Sequence, residues 1–287
     1  MNFLDELKQK TEFVNRWVMD LSPKGEGAHS VIYEAANYSV GGKGKRIRPV
    51  LAAAVCEMTG NNPELVMPFA CALEYIHTYS LIHDDLPAMD DDDMRRGLPS
   101  CHIKYGEAIA ILAGDTLLNY AFETALKADV PAEVKVKAMD IIAHASGAEG
   151  MIGGQVIDIN GVSNGEELIK MYNMKTGALI EAAALIGTVF SNDDEVRAVR
   201  DFAYNLGIAF QIKDDILDVE GSTEELGKAV GSDEKAGKKT YVTYYGLDGA
   251  KKDLSEYTKK AKESLSMFGE RAEFLISLAD YLLARNN

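Results

Sequence analysis

No proline follows Pro131 in this chain of 287 residues, and along that stretch apolar residues recur at a helical period. Proline removes a backbone donor and breaks helix interiors, so its absence beside a 3.6-residue pattern selects long helices. Valine and isoleucine nowhere alternate with polar residues long enough to make a sheet. The expected class is all-α. Helices are predicted over 1–20, about 28–39, 47–60, 64–83, 102–128, 132–157, 165–190, 194–219, 247–266 and 269–285. Asn62-Pro63 marks one break, and Pro87 and Pro99 bracket another. Gly147, Gly150, Gly153 and Gly154 mark a kink or a close approach of helices. With no fixed-period repeat and no low-complexity linker, a single domain over 1–287 is expected. Its most flexible part is expected at 220–239, which is rich in glycine and charge.

The formal charge is −15. A field of that sign disfavours nucleic acid and anionic membranes, and it repels anionic substrates, so any phosphate site must be built from local cations. Apolar runs such as 182–190 are half the length of a membrane span, and no basic segment, apolar run and cleavage site open the chain. No stable membrane insertion is expected. Cys56, Cys71 and Cys101 are widely spaced without a CxxC, which points to reduced thiols and a cytoplasmic protein.

Acid is concentrated in two places. Asp84 and Asp85 are followed by Asp90 to Asp93, and Asp214, Asp215 and Asp218 recur more than a hundred residues later. Each group follows a strongly apolar segment, so each sits at or beyond the end of a core helix. Asp214 and Asp218 share one helical face, with Gln211 a turn earlier. Like charges at that spacing repel, and hard divalent cations relieve the repulsion; magnesium is held by few carboxylates plus substrate phosphates. The alternative is a solvated acidic face, the reading that best suits Asp91 to Asp93.

Lys43, Lys45, Arg46 and Arg48 crowd a glycine-rich loop at a helix start, and Arg95, Arg96, Lys175, Lys228 and Lys238 add to them. The loop lacks the spacing of a P-loop. It is either an exposed basic loop or part of a lining for two anionic substrates. His77, two turns before Asp84 on the same face, either binds phosphate or satisfies a buried polar contact. His83 is rotated away, which favours a structural role.

The ordered runs GKRIRP at 44–49, EYIHTYSLIHDDLPAMDDDDMRRG at 74–97, GGQVID at 153–158, KTGAL at 175–179, FQIKDDILD at 210–218 and GK at 227–228 resemble the trans-isoprenyl diphosphate synthases, closely the bacterial farnesyl diphosphate synthase branch. The resemblance implies a large helical bundle of the isoprenoid synthase type around a central cavity, assembled as a homodimer. It implies condensation of isopentenyl diphosphate with dimethylallyl and geranyl diphosphate to farnesyl diphosphate, by magnesium-assisted ionisation, condensation and elimination. Three magnesium ions per site with substrate bound would be held by Asp84, Asp85 and Asp90 and by Asp214 and Asp218. Arg95, Lys175, Lys228 and Lys238 would grip the allylic diphosphate, and Lys45, Arg48, His77 and Arg96 isopentenyl diphosphate. Thr176 and Gln211 would face the carbocation, completing a catalytic set of Asp84, Asp85, Asp90, Arg95, Lys175, Thr176, Gln211 and Asp214. Register from Pro49 favours Lys45 over Lys43, and closure of 220–239 would exclude water.

Tyr79 and Ser80 are the chain-length candidates. Tyr79 lies five residues before Asp84, about 7.5 Å along a helix. An aromatic there, with Pro87-Ala88 expanding the first motif, resembles the bacterial C15 type; a geranylgeranyl (C20) synthase and Tyr79 as core filler are the alternatives. Two other classes compete. A helical di-iron enzyme would use the ExxH spacings Glu74/His77 and Glu26/His29; a noncatalytic scaffold would use none of these groups.

Overall fold

A computed structural model describes residues 2–42, 44–220 and 238–284. The all-α expectation is met. Asn2 caps α1 (Phe3–Asp20) by accepting the Asp5 N–H, and α2 (Ser30–Val40) and α3 (Ile47–Met58) follow. Asn62 caps the short 3₁₀ turn Pro63–Val66, which leads into α4 (Met67–Asp84). Beyond the acidic run, Met94–Arg95 pairs antiparallel with Leu98–Pro99 in a two-residue hairpin, too short to leave a periodic signal.

Several predicted helices are broken by glycine. The span expected at 102–128 divides into α5 (Cys101–Tyr105) and α6 (Glu107–Leu126) because Gly106 takes φ 84, a left-handed value that side chains oppose. The span expected at 132–157 divides into α7 (Ala132–Ser146) and α8 (Met151–Asn160) around Gly147 and Gly150. The span expected at 165–190 runs as α9 (Gly165–Tyr172), a wider π turn at Asn173–Gly177, and α10 (Ala178–Ile186). α11 (Asp193–Glu220) matches its expectation. α12 (Tyr241–Ser264) starts six residues earlier than predicted, at a Thr240–Thr243 capping box, and kinks at Gly246. A 3₁₀ stretch, Ser266–Ala272, precedes α13 (Glu273–Ala284).

The contacts group into two compact units, Met1–Ala53 with Asn62–Ile142, and Ala54–Asn61 with Ala143–Asn287. In the first, α4 is the core: Met67, Phe69, Leu73, Tyr75 and Ile76 are all fully buried. Apolar on every face, this helix has no side to give to water. The Pro63–Asp84 span is long and apolar enough to cross a membrane, a longer run than the 182–190 stretch, but 72% of its most apolar window is buried inside the fold. The Tyr75 hydroxyl donates to the Val18 carbonyl at 2.7 Å, tying α1 to α4. His83 has the structural role expected, its Nε2 lying 3.0 Å from the Ile111 carbonyl of α6. In the second unit, α11 packs along α12 through Ile208, Ile212, Ile216 and Tyr241.

Gly153 and Gly154 answer the question of kink or close approach. A Cβ on Gly154 would lie 2.1 Å from the backbone nitrogen of Lys175, so α8 meets the π turn backbone to backbone. Because backbone cannot swing aside, Gly154→Ala is expected to destabilise by about 3 kcal/mol, lowering the denaturant midpoint. Gly249→Ala, where the new methyl meets nothing nearer than Tyr245 at 3.5 Å, is expected to leave the midpoint unchanged or raise it.

Candidate active site

In the first unit, Asp84 and Asp85 close α4, and the acidic run folds back over them. The Asp90 N–H donates to the Asp84 carbonyl at 2.8 Å and the Asp92 N–H to the Asp85 carbonyl at 3.2 Å. Asp84 is half-buried and Asp85 only 2% exposed, whereas Asp90 to Asp93 are all exposed. Both carboxylates of α4 stand at a helix C-terminus, where the backbone dipole is negative. Arg95 answers that charge: its Nε donates to Asp85 Oδ1 at 2.8 Å, and its Nη2 contacts both Asp85 and Asp92. Burial pushes the Asp85 carboxyl up, and Arg95 opposes that rise.

A second group of cations lies beside α4. Arg48 in the first turn of α3, His77 on α4 and Arg96 in the hairpin share one electrostatic neighbourhood. A Cβ on Gly44 would sit 2.7 Å from Arg96 Nη1, so the missing side chain lets the basic loop lie against that guanidinium. Burial lowers Arg48 to about 10, which still leaves it charged at neutral pH, and its buried Nε has no hydrogen-bond partner. Burial first, then Arg48 and Arg96, holds His77 well below its ordinary value, so this imidazole is neutral. Lys45 is exposed, Ser80 donates to the His77 carbonyl at 3.0 Å, and Lys43 lies outside the described residues.

In the second unit, Lys175 and Thr176 sit in the π turn, a geometry enriched at functional sites. Thr176 Oγ1 lies 3.2 Å from Gln211 Oε1, joining that turn to the stripe of α11 that carries Asp214 and Asp218. Asp214 is half-buried and Asp218 buried. Asp215 faces elsewhere: it accepts from the Tyr172 hydroxyl and, at 2.6 Å, from the Tyr241 N–H, fixing the start of α12. Lys228 and nearly all of the 220–239 segment lie outside the described residues.

Residues 29–272 match the family described as polyprenyl synthetase. The chain belongs to the polyprenyl synthetase family. It is 43% identical to a geranylgeranyl diphosphate synthase of Cyanophora paradoxa, over 100% of this chain and 97% of that one. It is 42% identical to a farnesyl diphosphate synthase of Micrococcus luteus, over 98% and 99% of the two chains. Among solved structures, an FPP/GFPP synthase from Zymomonas mobilis superposes with a TM-score of 0.88 at 32% identity, covering 98% of this chain and 99% of that one. The reaction of this family is a trans-prenyltransferase condensation of isoprenoid diphosphates.

Magnesium dependence is typical of polyprenyl synthetases, and the expected ligands fit it in kind: Asp84, Asp85 and Asp90 in the first unit, and Asp214 and Asp218 in the second, each offer only hard oxygens. Among the described residues, no three acid, histidine or cysteine side chains converge on a metal position.

The sequence reading passed over Asp158. It accepts from Lys175 Nζ at 2.6 Å and Lys238 Nζ at 3.4 Å, bringing together two cations expected on the allylic diphosphate. Burial pushes its carboxyl up, but Lys175 foremost and Lys238 outweigh that and hold it below the usual range. Asp158 ends the GGQVID run, yet its partners are 17 and 80 residues away, so no local spacing disclosed the pairing.

His77 makes stability depend on pH in a fixed direction. Unfolded, it takes a proton near pH 6.5; folded, it does so only well below that. From about pH 6.5 downward the unfolded state therefore binds more protons, and stability falls with pH. Unfolding free energies at pH 7.5 and pH 5 are expected to differ less in His77→Gln than in the wild type; equal differences would remove His77 from this role.

Proposed function

We propose that the chain condenses isopentenyl diphosphate with dimethylallyl diphosphate and then with geranyl diphosphate, releasing farnesyl diphosphate. The observation that carries this reading is the half-buried group Arg48, His77 and Arg96 in a chain of net charge −15. Like charges gathered under partial burial are costly unless an anion joins them, and the unpartnered Nε of Arg48 is a donor suited to a phosphate oxygen.

In this reading Arg48, His77, Arg96 and the exposed Lys45 hold isopentenyl diphosphate, while Arg95, Lys175, Lys228 and Lys238 hold the allylic partner. Magnesium bound through Asp84, Asp85, Asp90, Asp214 and Asp218 would supply positive charge to the departing diphosphate. The allylic C–O bond breaks and the pair of electrons leaves with pyrophosphate. Thr176 and Gln211 face the resulting carbocation, which the isopentenyl double bond attacks to form the new C–C bond. The proton then lost passes to pyrophosphate, so no histidine base is needed, in keeping with a neutral His77 already committed to binding. Closure of 220–239, outside the described residues, would keep water from the cation.

Tyr79 supports a C15 limit. It is 5% exposed, its hydroxyl has no partner, and burial, then Asp84, raises it to about 12. A bulky ring whose polar tip finds nothing to bond suits a wall that a growing apolar chain meets. A C20 product is the second reading, favoured by the Cyanophora relative's name. Neither rival class accounts for the same residues: a di-iron site needs Glu74, which is paired to Arg46 at 2.7 Å, and a scaffold needs no cation cluster. We also read the chain as a cytoplasmic homodimer, since its three cysteines are free and Ile103, Ile111 and Leu112 of α5 and α6 are each exposed.

Incubation with each allylic primer, isopentenyl diphosphate and magnesium is expected to yield C15 product by chromatography, and chelation to abolish it until magnesium is restored. No product from either primer would overturn the synthase reading. Tyr79→Ala is expected to extend the product to C20, and unchanged C15 would remove Tyr79 from that role.

A further inference from the structure

Arg46 is 3% exposed and reaches three elements at once. Its Nη1 lies 2.7 Å from Glu74 Oε1 on α4, its Nε donates to Asn15 Oδ1 on α1 at 3.1 Å, and its Nη2 donates to the Val40 carbonyl at the end of α2. Its backbone holds φ 52, a left-handed conformation that costs a non-glycine residue about 1–2 kcal/mol. Its ion pair with Glu74 is almost wholly buried, and such pairs stabilise a fold no better than apolar residues of like volume. Stability alone therefore explains neither feature.

Position does explain them. The Arg46 carbonyl accepts the Val50 N–H at 3.0 Å, so fixing Arg46 fixes the first turn of α3, which carries Arg48 two residues on. Glu74 lies one helical turn before His77, and its charge bears on Arg48 and Arg96 as well as on Arg46. The pair thus joins the basic loop to α4 at the level of Arg48, His77 and Arg96.

We propose that Arg46 and Glu74 are positioning residues for the isopentenyl diphosphate subsite: their buried ion pair holds the loop in the strained path that aims Arg48 beside His77 and Arg96. This rests on the reading of that cluster given above. The prediction is asymmetric between the two substrates, because the tether touches only the subsite of Arg48, His77 and Arg96.

Two variants test it. Arg46→Met with Glu74→Leu keeps the net charge of the pair and fills similar volume, and it removes the tether together with the Glu74 charge that bears on Arg48 and Arg96. Arg46→Lys keeps the charge but loses the planar fork that serves three acceptors. The double variant is expected to raise the KM for isopentenyl diphosphate about tenfold, the scale of one lost charge-assisted hydrogen bond, and Arg46→Lys about threefold. The allylic KM and kcat should stay within about twofold. An isopentenyl KM unmoved in either folded variant, or an equal rise in both KM values, overturns the proposal; if the double variant does not fold, Arg46→Lys decides. A wild-type protein that turns over neither primer sinks the functional reading itself. An active wild type with unmoved variants sinks only the tether.

Discussion

A helix that is apolar on every face has one stable place, and α4 occupies it. Because Met67 to Ile82 are buried nearly without interruption, the polar residues threaded through them are placed by the core rather than by their own preferences. Glu74, His77, Tyr79, Asp84 and Asp85 are strung along about 17 Å of one axis. Glu74 meets Arg46, His77 lies among arginines, Tyr79 leaves its hydroxyl unbonded, and Asp85 takes Arg95. Glu74 and Asp85, both buried, each take a guanidinium partner, Arg46 from the basic loop and Arg95 from the hairpin.

Charge placement against the helix dipole sharpens that demand. Asp84 and Asp85 end α4, and Asp218 lies in the last turn of α11, all at ends where a carboxylate is disfavoured by about 0.3–1 kcal/mol. A chain selected only for stability would put cations there. The basic hairpin residue Arg95 offsets part of the cost in the first unit, and the remaining excess of acid is chemistry that a hard cation relieves.

Where periodicity and composition suffice, the sequence was readable: the all-α class, the long α11, and the stripe of Gln211, Asp214 and Asp218 follow from the 3.6-residue repeat. Helix breaks were harder: the glycine cluster at 147–154 was marked, but Gly106 looks no different in a linear pattern from the helical Gly249. Backbone angles set by packing decide which glycine ends a helix. The π turn at Lys175 and Thr176 was invisible for the same reason, since one extra residue in a turn barely disturbs an apolar period. Asp158 and the Arg46–Glu74 pair were missed because their partners are distant along the chain. By contrast, the difference between Asp214 and Asp215 was legible from facing alone, and the structure gives Asp215 two donors that hold α12.

The choice of cation differs between the two units in a way that solvation accounts for. Arg48 is densely surrounded and falls only to about 10, so the guanidinium keeps its charge where an ammonium would risk losing it. Lys175 and Lys238, the lysines that share Asp158, are 25% and 43% exposed at the side chain. A carboxylate between two lysines holds the two ammonium groups close together before any anion arrives. On the reading proposed above, an incoming diphosphate competes with the Asp158 carboxylate for two compact ammonium groups, whereas at Arg48 it meets a desolvated Nε without a hydrogen-bond partner. The first arrangement suits an anion that must depart during each turnover, and the second suits one that stays attached to the product.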